Sequence, residues 1–184
     1  MGAQAEEFGQ GRVLALDVGE LRCGLALSDV ARKHASPLAV LPTADLLRVQ
    51  PSGGGGRLRE IVAEWEVAGI VVGLPLESDG SEGSQARHVR ALGGKIVAGL
   101  GLGLDVGAGL GSGAGSRAIP SAPALSLVWY DERKSSVQAK AAGHEVGLSE
   151  RAMRGHTDSR AAAVFLQRWL DETKGDLNGA HEIN

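Results

Sequence analysis

The run Gly69-Ile-Val-Val-Gly-Leu74 constrains this chain more than any other stretch. An unbroken β-branched apolar segment without polar alternation fits a central parallel strand buried on both faces, and such a strand requires helices above and below it. The flanking sequence supplies them. Leu58, Ile61, Val62 and Trp65 recur at i, i+3, i+4 and i+7, the apolar stripe of a helix over 58–67. Residues 84–98 repeat the pattern through Val89, Leu92 and Ile96, with Gly93-Gly94 weakening that helix by about 1 kcal/mol each relative to alanine. Upstream, 12–17 reads as a buried strand and 22–29 as its antiparallel partner, with Gly19 permitting the turn between them. A third strand over 35–43 is confined to the sheet margin by Pro37 and Pro42. Downstream come a strand over 125–130, helical spacing from Arg133 through Val137 and Ala141, and a last helix with Ala161, Ala162, Phe165, Leu166, Trp169 and Leu170 on one face. That helix is expected to start at Thr157 or Asp158 as a cap and to end near Gly175. The order implies an α/β domain: a mixed five-stranded sheet, three antiparallel strands then two parallel, flanked by helices.

With 184 residues the chain suffices for one domain, placed at 12–171, with flexible termini at 1–11 and 172–184. Aromatics are only 3%, so the core is expected to consist of Ala, Val, Leu and Ile. Two segments carry no usable period: the glycine run near 51–56 and the glycine-rich stretch 99–124. Both read as flexible insertions, because glycine-rich chain loses too much backbone entropy on ordering. A dinucleotide-binding loop is the alternative for the second, but the G-x-G-x-x-G spacing followed by a helix is missing. The single Cys23 cannot form an internal disulfide and, in an apolar stretch, reads as a buried structural thiol of a reducing compartment. Residues 1–10 lack an apolar signal core and no window approaches the ~20 apolar residues of a membrane helix, so a soluble cytoplasmic or organellar protein is expected. A net charge of −3 gives no bulk basic field, so any nucleic-acid surface must be local.

Three short stretches place carboxylates where a strand ends or a helix begins: Leu14-Ala-Leu-Asp17-Val-Gly19, Leu127-Val-Trp-Tyr-Asp131-Glu132-Arg133 and Gly155-His-Thr-Asp158-Ser. Hard cations take oxygen ligands at such sheet ends, and hydrolysis of a phosphodiester by two ions needs several carboxylates to hold them. Each residue also has a plainer reading. Asp17 could close a hairpin turn, Glu132 could be a solvated partner of Arg133, and Asp158 could be only a helix cap. Asp131 should point to the face opposite Glu132, and Asp29 and Asp79 read as turn formers. Arg22, Arg133, Lys134, Arg151, Arg154 and Arg160 cluster in sequence around these acids, where they could grip phosphates. His156 could shuttle a proton.

Read in order, Asp17-Val-Gly19 with Arg22-Cys-Gly-Leu-Ala-Leu-Ser-Asp29, Ile70-Val-Val-Gly-Leu-Pro-Leu with Asp79-Gly-Ser-Glu-Gly83, Asp131-Glu-Arg133, and Arg154-Gly-His-Thr-Asp158-Ser-Arg-Ala-Ala resemble the YqgF/RuvX family. That family comprises Holliday-junction resolvases and pre-16S rRNA processing nucleases of RNase H-like fold. The resemblance covers about residues 12–98 and 125–171. It implies Mg²⁺- or Mn²⁺-dependent phosphodiester hydrolysis, with Asp17, Glu132 and Asp158 as the catalytic, metal-holding carboxylates. A nucleic-acid partner follows, either rRNA precursor or branched DNA, and the chain would act as a monomer or homodimer. Departures are mild: Lys134 stands where a small or apolar residue is usual, and His156-Thr157 replaces a more apolar pair.

Two other functions compete. A sugar-kinase-like ATPase shares the sheet and an Asp-x-Gly turn, but two such domains are needed to enclose a nucleotide and this length provides one. A non-catalytic nucleic-acid or ribosome-associated module keeping the fold is the alternative the residues leave open.

Overall fold

The computed structural model describes residues 8–48, 56–100, 104–106, 125–132 and 150–179, with side chains described up to Thr173 in the last helix from Asp158 onward. A hairpin of β1 (Arg12–Val18) and β2 (Arg22–Ser28) leads into β3 (Ala35–Pro42) and a short α1 (Thr43–Leu47). Then follow α2 (Gly56–Glu64), β4 (Val67–Leu74), α3 (Ser84–Ala98), β5 (Leu104–Val106), β6 (Leu125–Asp131) and α4 (Glu150–Gly179).

The sheet order is β3-β2-β1-β4-β6-β5. β2 is antiparallel to both of its neighbours, β1 and β3, whereas β4 runs parallel to β1, and β6 parallel to β4. This is the expected mixed α/β sheet, with the 69–74 run on an interior strand. One strand was not legible. Residues 104–106 fall in the stretch expected to be an unstructured insertion, yet they pair in parallel with Leu125, Ser126 and Leu127 as a sixth, edge strand. Three residues between glycines are too short to show a period of two, and the partner strand supplies the hydrogen bonds that local sequence cannot announce. Most of that stretch, and the run at 51–55, lie outside the described residues.

Alternation along the strands divides the interior into two layers. Leu14, Leu16, Leu25, Ile70 and Val72 join Leu58 and Ile61 of α2 and Val89 and Ile96 of α3 on one face. Val13, Ala15, Ala26, Val71, Val128 and Tyr130 meet Ala162, Phe165, Leu166 and Trp169 of α4 on the other. Cys23 is fully buried in the first layer, and burial pushes its thiol well above the ordinary range, in keeping with a structural thiol. Ordered packing begins before β1: Phe8 is buried against Trp169, ring centroids 5.1 Å apart, and Arg32 donates to the carbonyls of Phe8, Gly9 and Gly11.

α4 differs from the helix expected. It begins at Glu150, so Asp158 stands about two turns inside it and cannot be its cap. A residue able to cap does not end a helix when Glu-Arg-Ala-Met-Arg, good helix formers, precede it. The chain also stays helical past Gly175, to Gly179. The helix expected from Arg133 onward lies outside the described residues.

Candidate active site

Parity decides where Asp17 goes. Leu14, Leu16 and Val18 serve the α2–α3 layer and Val13 and Ala15 the α4 layer, so Asp17 falls on the α4 side at the carboxyl end of β1. Across the ladder it pairs with Gly24 of β2. One residue beyond the Leu16–Val72 pair of the parallel ladder, its other neighbour is Gly73 of β4. On both sides the adjacent position thus lacks a side chain.

Both gaps are filled from elsewhere. A Cβ at Gly73 would fall on Oε1 of Glu132, with the Glu132 Cγ 2.9 Å away. A Cβ at Gly24 would fall on the backbone carbonyl of Asp158, with the amide nitrogen of Ser159 at 2.7 Å. Glu132 follows β6, whose Val128 and Tyr130 serve the α4 layer, so alternation carries it to the Asp17 face and sends Asp131 to the opposite one. From two strands away, Glu132 reaches over bare Gly73 backbone toward Asp17. Asp158 sits on the stripe of α4 that continues through Ala162, Phe165 and Trp169.

Burial and crowding set the proton affinities. Asp17 is pushed up from 3.8 to about 6, first by burial and then by the charge of Asp158. Glu132 is pushed up from 4.5 to about 8, by burial first, then by Asp17 and Asp131. Asp17 is therefore the shared electrostatic neighbour of the other two. The three carboxylates converge on one end of the sheet without closing on a point: among the described residues no three His, Cys, Asp or Glu side chains are grouped so as to hold one ion.

The motifs that build this site recur in a known family. A family profile described as "RuvX: Holliday junction resolvase" matches residues 11–108 and 116–172. The chain belongs to the RuvX family. A relative from Anaeromyxobacter sp. (strain Fw109-5) is 36% identical over 164 residues, 87% of this chain and 96% of that protein. Another, from Kineococcus radiotolerans, is 38% identical over 161 residues, 86% of this chain and 70% of that one. Both carry the name "Putative pre-16S rRNA nuclease". Among solved structures, T. thermophilus RuvC in complex with a Holliday junction substrate is similar at 12% identity and a TM-score of 0.46, covering 90% of this chain and 97% of that chain.

Within this RuvX-family chain, the basic residues expected around the acids divide unevenly. Arg22 is exposed at the start of β2, at the same end of the sheet as Asp17, and Arg160 is exposed two residues after Asp158. Arg151 and Arg154 are helical residues of α4 whose side chains lie outside the described set, as does that of His156, and Arg133 and Lys134 lie outside the described residues altogether. The glycines flanking Asp17 were missed as part of the site. Their signal is readable only once register is known: Gly73 is 56 residues from Asp17 in sequence, and Gly24, seven residues away, faces it only through the pairing of the hairpin.

Proposed function

We propose that this RuvX-family chain is a divalent-metal-dependent nuclease that hydrolyses phosphodiester bonds in precursor 16S rRNA, with Asp17, Glu132 and Asp158 as its working carboxylates. The observation that carries the reading is the placement of Asp17 between two glycines whose vacant side-chain space is taken by Glu132 and by the α4 turn bearing Asp158. Ligands of open α/β sheets bind at the carboxyl ends of the parallel strands, where these residues sit. The substrate class follows from the relatives, which share most of their length with this chain and bear the name of pre-16S rRNA nuclease.

The donor set suits a hard cation: oxygen ligands only, with two proton affinities raised first by burial and then by neighbouring negative charge. Asp17, Glu132 and Asp158 are not grouped on one point in the structure; drawn together by countercharge, they would hold Mg²⁺ or Mn²⁺, which would supply charge neutralisation at the phosphate and a more acidic water. The chain's own groups do the rest. Glu132, protonated near neutral pH when no cation is present, can hold or give up a proton at its carboxyl oxygens. Arg22 at the hairpin end offers a guanidinium to a neighbouring phosphate.

Cleavage of a precursor 16S rRNA fragment and of a four-way DNA junction, with Mn²⁺ and then with EDTA, tests the reading beside Asp17→Asn. Manganese-dependent cleavage of the RNA, lost in the variant, is the expected result. Preference for the junction would reassign the substrate to branched DNA, and metal-independent binding without cleavage would make the chain a binding module.

A further inference from the structure

Leu21, at the tip of the β1–β2 hairpin, is 80% exposed, and with Val30 it is one of two large apolar side chains so exposed among the described residues. Isolated exposed leucines are common and by themselves need no explanation. The backbone around this one is anchored. The Gly19 amide donates to the carbonyl of Arg22 at 2.9 Å, the Thr43 hydroxyl to the carbonyl of Gly19 at 2.8 Å, and the Thr43 amide to the carbonyl of Leu21 itself at 3.1 Å. Thr43 is buried at the start of α1, so the backbone of the tip is tied to the body of the domain. The anchored leucine is flanked by exposed Glu20 and Arg22 and stands four residues beyond Asp17.

We infer that Leu21 is a wedge residue that contacts an unstacked nucleobase beside the scissile phosphate and so favours paired over unpaired nucleic acid as substrate. The inference rests on the nuclease reading for its location and on the tip's own geometry for its chemistry. Near a phosphodiester, the apolar surface a substrate offers is the face of a base, and a rigidly presented leucine is one of the side chains that can enter an opened base step. Arg22 beside it provides the charge that holds the backbone while the step opens.

The test separates the wedge from the nuclease assignment by reading binding as well as cleavage. The probes are an RNA stem-loop and its unpaired strand, each carrying 2-aminopurine beside the mapped cleavage position. In Asp17→Asn protein, fluorescence of the paired probe is expected to rise on binding, and in Asp17→Asn with Leu21→Ala it is expected to stay low at saturation. In the cleaving protein, Leu21→Ala should slow the paired substrate at least 5-fold and the unpaired one less than 2-fold, with Leu21→Met restoring the rate. Equal loss on both substrates, or an unchanged fluorescence rise in the leucine variant, overturns the wedge while leaving the nuclease intact. Full cleavage by Asp17→Asn defeats the assignment of Asp17, and absence of cleavage by the unsubstituted protein defeats the nuclease reading; either leaves the fluorescence comparison to decide the wedge.

Discussion

The carboxyl group of Glu132 occupies the space that a side chain on Gly73 would fill. The two residues are 59 positions apart in numbering, yet neither can be substituted without regard to the other. A methyl group at Gly73 must displace Glu132 from its position beside Asp17. Gly73→Ala is expected to lower cleavage at least tenfold and to cost about 1–3 kcal/mol of stability, the usual range for overpacking. In a Glu132→Ala background the same change should cost nothing or stabilise slightly. Urea unfolding of the four proteins gives the coupling, and additive effects would show that the two side-chain spaces do not overlap.

Gly24 and Gly94 form a second contrast. A Cβ at Gly24 meets the backbone of Asp158 and Ser159, which can move only if α4 moves, whereas a Cβ at Gly94 in α3 meets nothing within 4 Å. Gly24→Ala should destabilise by about 2 kcal/mol or more and loosen α4, visible as faster amide exchange there. Gly94→Ala should stabilise by up to about 1 kcal/mol, the cost of glycine inside a helix. A neutral Gly24→Ala would mean that α4 sits farther from β2.

Stability of the metal-free protein should fall as pH rises. Asp17 and Glu132 hold their protons to about pH 6 and about pH 8 in the folded state, against 3.8 and 4.5 ordinarily. Below about pH 4 both states are protonated and no penalty applies. Between there and pH 8 the unfolded chain releases its protons first, so folding is progressively penalised, by about 1.4 kcal/mol per pH unit for one group. We expect chelated protein to lose at least about 2 kcal/mol between pH 5 and pH 8.5 relative to Glu132→Gln, measured by urea unfolding. Saturating Mg²⁺ or Mn²⁺ should recover the loss by binding the ionised folded state. A pH-independent difference would place Glu132 in water.

Asp17→Asn should behave oppositely in its two readouts. Cleavage is expected to drop by several orders of magnitude, because the amide cannot replace the charge of the central carboxylate. Stability in EDTA at pH 8 should rise by about 1–3 kcal/mol, since a buried charge repelled by Asp158 is removed, the gain should shrink as pH falls below 6, and below about pH 4 the two proteins should match closely. Retained activity defeats the assignment of Asp17. A loss of stability at pH 8 would show that its ionised form is well satisfied.

How much of this was written in the chain varies with the range of the interaction responsible. The run at 69–74 fixed an interior strand and two covering layers, because apolar periodicity is a local record of burial, and the ordered acidic motifs singled out Asp17, Glu132 and Asp158. Local sequence also misplaced the start of α4, since a residue that can cap need not, and it hid β5, whose strand character comes from its partner. Tertiary structure alone decided that Gly24 and Gly73 flank Asp17 and that Glu132 and the turn bearing Asp158 take up their empty space. The physical reason is register. Which glycine lies beside which carboxylate depends on strand pairing and helix packing between residues far apart in the chain, and a slip of one residue would have sent every one of these groups to the other face of the sheet.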